Sequence, residues 1–460
     1  AVKAERYAAY KDSGVEWLRE VPGNWRTLRL KDVIEKLESG VSVNASDEPA
    51  TGNNIGVLKT SCVGKDSFIP DENKSVWPTE LNRVSTPVRA GRIIVSRMNT
   101  PQLVGASAYV PKNYPNIFLP DRLWQTVFFS SVRLDSKWLS LLIGCKDFRY
   151  LLSTVATGTS PSMKNLGQDK FLSISIPFPS HAEQTAIAAY LDTKTAQIDR
   201  QIDLLSQKAT QYGKLKQSLI NETVTRGLDK AVPMKDSGVI CIGLIPRHWK
   251  KLRLKDLGTI ETSSIDKKTI ENEKLVKLVN YSDIYGNLKK EIFNQVGYMI
   301  VSANAKQIKD KNLNQGDVLF TPSSETYEDI GVSSVVMENL IDTLYSYHIL
   351  RLRFHKKIEL NFKKYLFNNN YVQTYFSQSA KGTTRKILGL TQFNNLELVF
   401  PPAYKEQKEI AAYLDHKTTQ IDRIINVIGS QIDKLKDLRK ALINDVVTGK
   451  IKVVSGGIAV

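Results

Sequence analysis

The stretch EQTAIAAYLDTKTAQIDRQIDLL (183–205) is repeated almost unchanged as EQKEIAAYLDHKTTQIDRIINVI (406–428). Apolar residues in both copies recur at alternating steps of four and three, the heptad spacing of a coiled-coil helix. Each helical run covers about 40 residues, or roughly 60 Å. The seam residues are Leu191, Ile198, Ile202, Leu205 and Tyr212 in the first copy, and Leu414, Ile421, Ile425, Ile428, Ile432 and Leu435 in the second.

Seams this narrow do not stabilise a single helix in water. We therefore expect the two long helices to pair with each other as an antiparallel coiled coil. The alternative is that each is an ordinary amphipathic helix packed on its own domain.

Several shorter motifs repeat at nearly the same offset of about 224 residues. They are KDSGV at 11 and 235, LRLKD at 28 and 252, VPGNW (21–25) with IPRHW (245–249), and Gly-Thr at 158 and 382. A constant offset across so many sites indicates an internal duplication, with units from about 11 to 234 and 235 to 458. Two long copies imitate a dimer rather than a solenoid, and they predict an approximate two-fold relation.

The repeats divide the chain into six segments. These are an N-terminal segment (1–25), a first variable domain (26–180), a central helical region (181–228), a linker that starts the second repeat (229–249), a second variable domain (250–402) and a C-terminal helical region (403–450). Short strand-like runs, such as 92–98 and 347–354, alternate with helical patterns in both variable domains. The predicted fold class is therefore mixed α/β, with two domains, each a mixed sheet with helices, separated by the paired long helices. One helix, ending at Gly158 or Gly382 as its C′ residue, is expected near the end of each domain.

Composition points to a polyanionic partner. The formal net charge is +17 and the pI is about 9.5, which favours nucleic acid. No apolar run is long enough for a membrane span and no apolar leader is visible. The three cysteines are scattered without metal-ligand spacing, which fits a reducing cytoplasm.

Polar loops with cations, amides and small hydroxyls recur in both variable domains, and such loops can bind phosphate oxygens and reach base edges. A single polar loop is more often only solvated, so the prediction depends on several of them in a basic chain. The candidate DNA-binding residues of the first domain are Lys59, Ser61, Lys65, Ser96, Arg97, Asn99, Gln102, Thr159, Ser160, Lys164 and Asn165. Those of the second domain are Asn280, Tyr281, Ser282, Tyr285, Lys289, Ser323, Ser324, Tyr327, Thr383, Thr384, Arg385 and Lys386.

Several polar positions off the helical seam are identical in both copies. A solvated face does not require identity, so these residues are predicted to contact a protein partner present in two copies. They are Tyr190, Asp192, Gln197, Asp199 and Arg200, with Tyr413, Asp415, Gln420, Asp422 and Arg423.

The motifs of several enzyme classes are absent from the sequence. It has no phosphate-binding P-loop, no Asn-Pro-Pro-[Phe/Tyr] tetrapeptide of an adenine methyltransferase and no metal-ligand spacing among its five histidines. We therefore predict no catalytic residue and no metal site. A self-contained restriction nuclease with methyltransferase activity is disfavoured by these absences, and a coiled-coil scaffold without sequence-specific DNA reading is disfavoured by the charge.

Four stretches carry a family resemblance: KDSGVEWLREVPGNW (11–25), EQTAIAAYLDTKTAQID (183–199), GTTRK (382–386) and FPPAYKEQKEIAAYLDHKTTQID (400–422). With them the chain resembles the specificity subunit of type I restriction–modification enzymes over nearly its whole length. The first repeat departs from GTTRK, reading GTSPSMK (158–164).

The resemblance implies two target recognition domains, each reading one half of a split double-stranded DNA site. It implies a helix pair that sets the distance between the half-sites. It also implies two methyltransferase subunits that bind S-adenosylmethionine and, where the system has them, two restriction subunits that use ATP with Mg²⁺. The chain itself is then expected to be a cytoplasmic, non-catalytic subunit without a cofactor. Because the two variable domains differ in sequence, the target is expected to be asymmetric.

Overall fold

A computed structural model describes residues 5–64, 67–160, 162–239 and 241–453. It forms two compact units. Unit 1 contains the chain up to Leu205 and from Ser430 onward, and unit 2 contains Ser206–Gly429. Each unit therefore holds one variable domain and parts of both long helices.

Unit 1 is built on two four-stranded sheets. The first has the strand order β10-β8-β12-β4, and the second has the order β6-β5-β11-β7 with β11 parallel to β5. A three-stranded sheet β13-β14-β9 and the ribbons β1-β2 and β15-β3 complete it. The strands are β1 (Tyr10–Asp12), β2 (Glu20–Pro22), β3 (Arg26–Arg29), β4 (Ile34–Ser39), β5 (Gly56–Leu58), β6 (Asn73–Ser75), β7 (Pro87–Val88), β8 (Ile93–Ser96), β9 (Met98–Asn99), β10 (Ser107–Tyr109), β11 (Tyr114–Phe118), β12 (Leu123–Phe128), β13 (Thr157–Ser160), β14 (Met163–Asn165) and β15 (Ser175–Phe178). The helices are α1 (Ser136–Gly144), α2 (Lys146–Val155) and α3 (Gln168–Leu172), with 3-10 helices at Leu30–Asp32, Thr60–Val63 and Pro78–Arg83.

Unit 2 repeats this topology with one strand more in its first sheet and one strand fewer in the sheet β25-β29, which corresponds to β13-β14-β9. Its sheets have the orders β19-β28-β24-β26-β21 and β22-β20-β27-β23, and β20 is again parallel to β27. The strands are β16 (Met234–Asp236), β17 (Leu244–Pro246), β18 (Lys250–Arg253), β19 (Gly258–Thr262), β20 (Lys274–Val279), β21 (Glu291–Ile292), β22 (Met299–Ala303), β23 (Asn312–Leu313), β24 (Val318–Phe320), β25 (Ser323–Ser324), β26 (Ser333–Val336), β27 (Leu340–Tyr345), β28 (Leu350–Phe354), β29 (Lys386–Ile387) and β30 (Glu397–Phe400). The short helices are α5 (Tyr281–Tyr285), α6 (Ala305–Asp310), α7 (Phe362–Phe367), α8 (Asn370–Ser379) and α9 (Leu390–Asn395), with a 3-10 helix at Leu254–Asp256. The predicted duplication and mixed α/β class are thus confirmed.

The two long helices are α4 (His181–Arg226) and α10 (Tyr404–Val447). In unit 1, Leu191 shares a buried core with Val446, and further along Asp199 pairs with Arg439 at 3.1 Å. This order makes the two helices antiparallel, as predicted.

Unit 2 shows the same antiparallel arrangement from its own residues. Val224 shares a core with Leu414, and Lys216 pairs with Asp422 at 2.7 Å. Every seam residue is buried or half-buried. The first turns of both long helices also pack into the domain cores. The alternative prediction, that each long helix packs on its own domain, therefore describes part of their contacts.

The repeated Gln of each EQ pair joins a long helix to its domain. Gln184 accepts a hydrogen bond from the Asp135 backbone N–H at 2.8 Å and donates to the Pro179 carbonyl at 3.0 Å. Gln407 does the same with the Glu359 N–H at 2.8 Å and the Pro401 carbonyl at 2.9 Å. Both glutamines are buried, so these backbone groups have no water to replace the amide.

A second repeated amide caps the helix that precedes each polar loop. Asn444 accepts from the Asp147 N–H at 3.1 Å in the first turn of α2. Asn221 accepts from the Asn370 N–H at 2.8 Å in the first turn of α8. A cap of this kind satisfies a backbone donor that has no partner inside its helix.

Two local predictions were wrong. We expected one helix before each polar loop, but extended backbone at Cys145 (φ −68°, ψ 157°) and at Asn369 (φ −122°, ψ 164°) divides each into two. The new N-termini are capped from a long helix or from Asn369 itself, which stabilises the break. Gly158 and Gly382 are not C′ residues, because α2 ends at Val155 and α8 at Ser379, and the chain then continues in extended conformation.

Candidate nucleic-acid interface

In each unit a hairpin follows the second helix of the divided pair, α2 in unit 1 and α8 in unit 2. One strand of this hairpin pairs with a strand from a distant part of the chain. In unit 1 it pairs β14 with β9, so that Lys164 lies opposite Asn99. In unit 2 it pairs β29 with β25, so that Lys386 lies opposite Ser324. The structure therefore brings together polar loops that are about 60 residues apart in the sequence. We call these two arrangements the recognition hairpins: residues 157–165 with 96–102, and residues 381–387 with 322–327.

Glycine is required where each recognition hairpin closes. A Cβ atom on Gly158 would lie 2.3 Å from the carbonyl oxygen of Met163, and one on Gly382 would lie 2.1 Å from that of Arg385. Both distances are below any tolerable contact, and Gly382 also has a φ of +115°. The repeated Gly-Thr pair thus reflects backbone approach across the hairpin, not helix termination.

The unit 2 hairpin displays cations beside tyrosines. Arg385 donates from Nε to the Ser323 hydroxyl at 3.3 Å. Lys386 donates to the carbonyls of Gly382 (2.9 Å) and Thr383 (2.6 Å), and its ammonium lies 4.4 Å from the ring centre of Tyr327. Thr383, Thr384 and Arg385 are exposed at the turn.

Helix α5 adds a tyrosine pair to this surface. The rings of Tyr281 and Tyr285 stack with their centres 5.4 Å apart, and the Tyr285 hydroxyl donates to Asp329 at 2.9 Å. Burial raises the pKa of Tyr281, while the Ser324 hydroxyl and the Arg385 charge oppose that rise. Tyr281 thus lies close enough to Arg385 to interact with it electrostatically. Ser282 and Lys289, on the same segment, are exposed.

Several neighbours of this cluster were not singled out in the sequence. Burial, then the positive charges of Lys267 and Arg385, lower the pKa of His348, and Asp266 opposes this effect. The Tyr347 ring lies against the His348 ring at 3.8 Å. Glu325 follows β25 directly and is exposed. No local motif marks these residues, because strand pairing across distant segments is what gathers them.

The unit 1 hairpin has fewer cations, Arg97 and Lys164, and no carboxylate. Asn99 donates to the Ser96 hydroxyl at 3.2 Å, and the Arg97 guanidinium lies 5.7 Å from the Trp124 ring centre. Arg149 fixes the following loop by donating to the carbonyls of Val104 (2.8 Å) and Gln102 (3.0 Å). Lys164 and Asn165 are half-buried on β14. Lys65 and the side chains of Thr159 and Ser160 lie outside the described residues.

Three of the predicted contact residues are buried. Ser96 is 0% exposed, Ser324 4% and Asn280 8%, so in this structure they lie beneath the surface, and a DNA contact for them stays a prediction. Ser61 lies on the 3-10 helix after β5 and Lys59 is the N-cap of that helix, which occupies the position that α5 has after β20. Lys59 donates to the Asp47 carbonyl at 3.5 Å and Ser61 to Glu72 at 2.5 Å, and no hydrogen bond within the described residues links either side chain to the hairpin.

The sequences of both repeats match a known family of protein domains. A family model for the type I restriction modification DNA specificity domain matches residues 22–210 and again residues 246–434. This chain belongs to the type I DNA specificity family. The two matches cover the two repeats, so the chain carries two DNA specificity domains.

Relatives and solved structures agree with this membership. The MjaVIII specificity subunit of Methanocaldococcus jannaschii is 23% identical over 447 residues, covering 94% of each chain. The EcoEI specificity subunit of Escherichia coli is 27% identical over 174 residues, which are 38% of this chain and 29% of that protein.

Among solved structures, a chain from work on complex assembly and conformational transition of the type I R-M system superposes with a TM-score of 0.65 at 16% identity, covering 93% of this chain and 98% of that one. The HsdS subunit from Thermoanaerobacter tengcongensis gives 0.51 at 16% identity, covering 94% and 98%. At these sequence identities the superpositions show a shared fold.

The repeated polar positions on the specificity chain's long helices have mixed surroundings. Asp192 pairs with Lys137 in unit 1, and Asp415 accepts from Lys364 (3.0 Å) and Tyr365 (2.6 Å) in unit 2. These ion pairs tie a helix to its domain. They account for the identity of the aspartates without an outside partner.

The remaining repeated positions lie nearer the surface. Asp199 pairs with Arg439 and Asp422 with Lys216, each on the other long helix. Tyr190 and Tyr413 are half-buried against the cores. Gln197, Arg200, Gln420 and Arg423 are exposed. A contact with another subunit stays a prediction, and these four residues are the best placed for it.

The described part of the chain contains no group of three or more His, Cys, Asp or Glu side chains that could hold a metal ion. Within the same residues no helix is both long and apolar enough to cross a membrane.

Proposed function

We propose that this chain is the DNA-recognition subunit of a type I restriction–modification complex, and that each unit reads one half of a bipartite, asymmetric double-stranded DNA target. The observation that carries the proposal is the pair of recognition hairpins. Each unit has the same kind of hairpin, paired with a strand at the equivalent place in the fold, yet the exposed side chains of the two hairpins differ. Equal scaffolds with different surfaces suit two half-sites of different sequence, and the net charge of +17 attracts the phosphate backbone.

The chemistry then belongs to partner subunits. Two methyltransferase subunits would supply S-adenosylmethionine, and restriction subunits, where the system has them, would supply ATP with Mg²⁺. The long helices would set the gap between half-sites and dock the methyltransferase subunits, with this chain acting as a non-catalytic subunit in the cytoplasm. The family membership supports this division of labour, and so does the repeated exposed face at Gln197, Arg200, Gln420 and Arg423.

The test of DNA recognition uses the chain assembled with its methyltransferase subunits and a pool of random-sequence duplexes. We expect enrichment of one bipartite motif with two different halves, and the same motif at methylated sites in cells. Absence of any salt-dependent DNA binding by the complex would refute the proposal and favour a scaffold. Methyl transfer by the chain alone would refute its non-catalytic role.

The docking face is tested by charge reversal. Arg200→Glu together with Arg423→Glu is expected to reduce the number of methyltransferase subunits that co-purify with the chain. Lys208→Glu is the matched control, because Lys208 is also an exposed cation on α4. Equal loss in both variants, or loss in neither, would contradict docking at this face.

A further inference from the structure

The two recognition hairpins can be compared position by position. Lys164 opposite Asn99 in unit 1 corresponds to Lys386 opposite Ser324 in unit 2. A lysine therefore occupies the same register in both hairpins. It brings a positive charge to both units whatever sequence they read.

The neighbouring positions differ in charge. The residue before the shared lysine is Met163 in unit 1 and Arg385 in unit 2, and the residue after the paired strand is Thr100 in unit 1 and Glu325 in unit 2. All four are exposed. Antiparallel register places Glu325 beside Arg385, just beyond the last ladder pair.

We propose that Glu325 is a base-reading residue of unit 2, whose carboxylate accepts a hydrogen bond from the exocyclic amino group of a cytosine or an adenine in the major groove. This inference rests on the proposed function. Cytosine N4 and adenine N6 are the amino donors that the major groove presents, and carboxylates are suited to accept from them.

The contacts of Glu325 argue against a structural role. In the described residues it has no hydrogen bond and no ion pair, and the adjacent Arg385 donates to Ser323 instead. Asp329, on the same loop, has structural partners, since its Oδ2 accepts from both Tyr285 (2.9 Å) and Thr326 (3.1 Å). The fold therefore uses one of the three carboxylates of this loop, Asp329, to position a tyrosine. Glu325 is exposed at the hairpin and Glu328 is exposed further along the loop.

Electrostatics restricts what an exposed carboxylate can do at this surface. A phosphate would be repelled by Glu325, while Arg385 and Lys386 beside it attract phosphates or guanine. The carboxylate is favourable against DNA only where it meets a donor, and amino groups are found on base edges. Thr100 cannot make this charged contact in unit 1, so the two half-sites are expected to differ at the base pair that Glu325 addresses.

The test selects bound duplexes from a random-sequence pool with the assembled complex, comparing the wild-type chain with Glu325→Ala. The expected result is a loss of preference by roughly 5- to 100-fold at one base pair of one half-site, with the other half-site unchanged. The base that loses its preference distinguishes cytosine from adenine. The matched control is Glu328→Ala, because Glu328 is an exposed carboxylate of the same loop, and it is expected to leave the motif unchanged.

Two results would overturn the inference alone: a Glu325→Ala motif identical to the wild-type motif, or an equal change in Glu325→Ala and Glu328→Ala. If the wild-type complex enriches no bipartite motif, the proposed function fails and the inference fails with it. Because Glu325 is exposed and unpaired, the thermal unfolding midpoint of Glu325→Ala is expected to match that of the wild type.

Discussion

Replacing Gly382 with alanine tests whether the unit 2 hairpin must be closed to bind DNA. A Cβ atom there would lie 2.1 Å from the Arg385 carbonyl oxygen, on a residue whose φ is +115°. The ladder that holds this hairpin to β25 has two residue pairs, so it has little stability to offset the clash. Strain of this kind costs about 1–3 kcal/mol, which corresponds to a factor of roughly 5–150 in the ratio of closed to open hairpin.

If only the closed hairpin binds, the apparent Kd of the Gly382→Ala complex rises by up to the same factor, and by the full factor where the open hairpin becomes the major state. Fluorescence anisotropy with a labelled duplex that carries the selected motif measures this change. The matched control is Gly297→Ala, because a Cβ atom at Gly297 meets nothing within 4 Å, and its Kd is expected to stay at the wild-type value.

The unit 1 hairpin gives an independent check. Gly158→Ala places a Cβ atom 2.3 Å from the Met163 carbonyl oxygen, so it is expected to weaken recognition of the other half-site. Duplexes in which one half-site at a time is scrambled distinguish the two effects. The reasoning is refuted if Gly382→Ala keeps the wild-type Kd and motif, or if both variants affect the same half-site.

Three other perturbations follow from the same geometry. If the Arg385 guanidinium reads guanine, Arg385→Ala is expected to relax the preference at one base pair by ~1–3 kcal/mol. If it contacts a phosphate, the slope of log affinity against log salt is expected to fall by about 0.9. Salt titrations and motif selection that both match the wild type would exclude a DNA contact. Gln407→Leu leaves a buried N–H and a buried carbonyl unpaired, at about 1–3 kcal/mol each, so hydrogen exchange at the start of α7 is expected to accelerate. The control Gln420→Ala changes an exposed glutamine and is expected to leave this exchange unchanged. Equal exchange in both variants would show that the Gln407 amide does not hold the helix. Four residues inserted between Ile198 and Leu205 are expected to change the gap between half-sites or abolish assembly, and an unchanged gap in an intact complex would remove the spacer role.

The duplicated architecture could be predicted from the sequence because its signals are local and occur twice. The heptad seam beginning at Leu191 and at Leu414 predicts a helix from spacing alone, and the constant offset of the motifs predicts two equal units. Alternating strand-like runs were sufficient to predict a mixed sheet in each domain. Their pairing order depends on contacts between distant segments and could not be read from periodicity.

The candidate site was predicted only in part, for the same reason. The composition of the polar loops at 96–102 and 158–165 predicts a DNA contact for each, but nothing in either predicts that Asn99 and Lys164 lie opposite each other. The residue type of Ser96 favours a contact, although its place on a central strand buries it. A carboxylate such as Glu325 gives no sequence signal for DNA contact in a basic chain, because its role depends on neighbours that only the fold brings together.

The division between repeated and differing residues has a physical consequence. Gln184 and Gln407 hold each domain to a long helix through backbone groups, so their contacts do not depend on the variable side chains. The differing residues, such as Arg385 and Met163, lie on exposed hairpins that close through glycine and a short ladder. Changes at the hairpin surface therefore cost the fold little, because exposed side chains contribute little to stability. We infer that base preference in this chain can change without loss of the helix–domain joints, whereas substitution of either glutamine would weaken a unit whatever DNA sequence it reads.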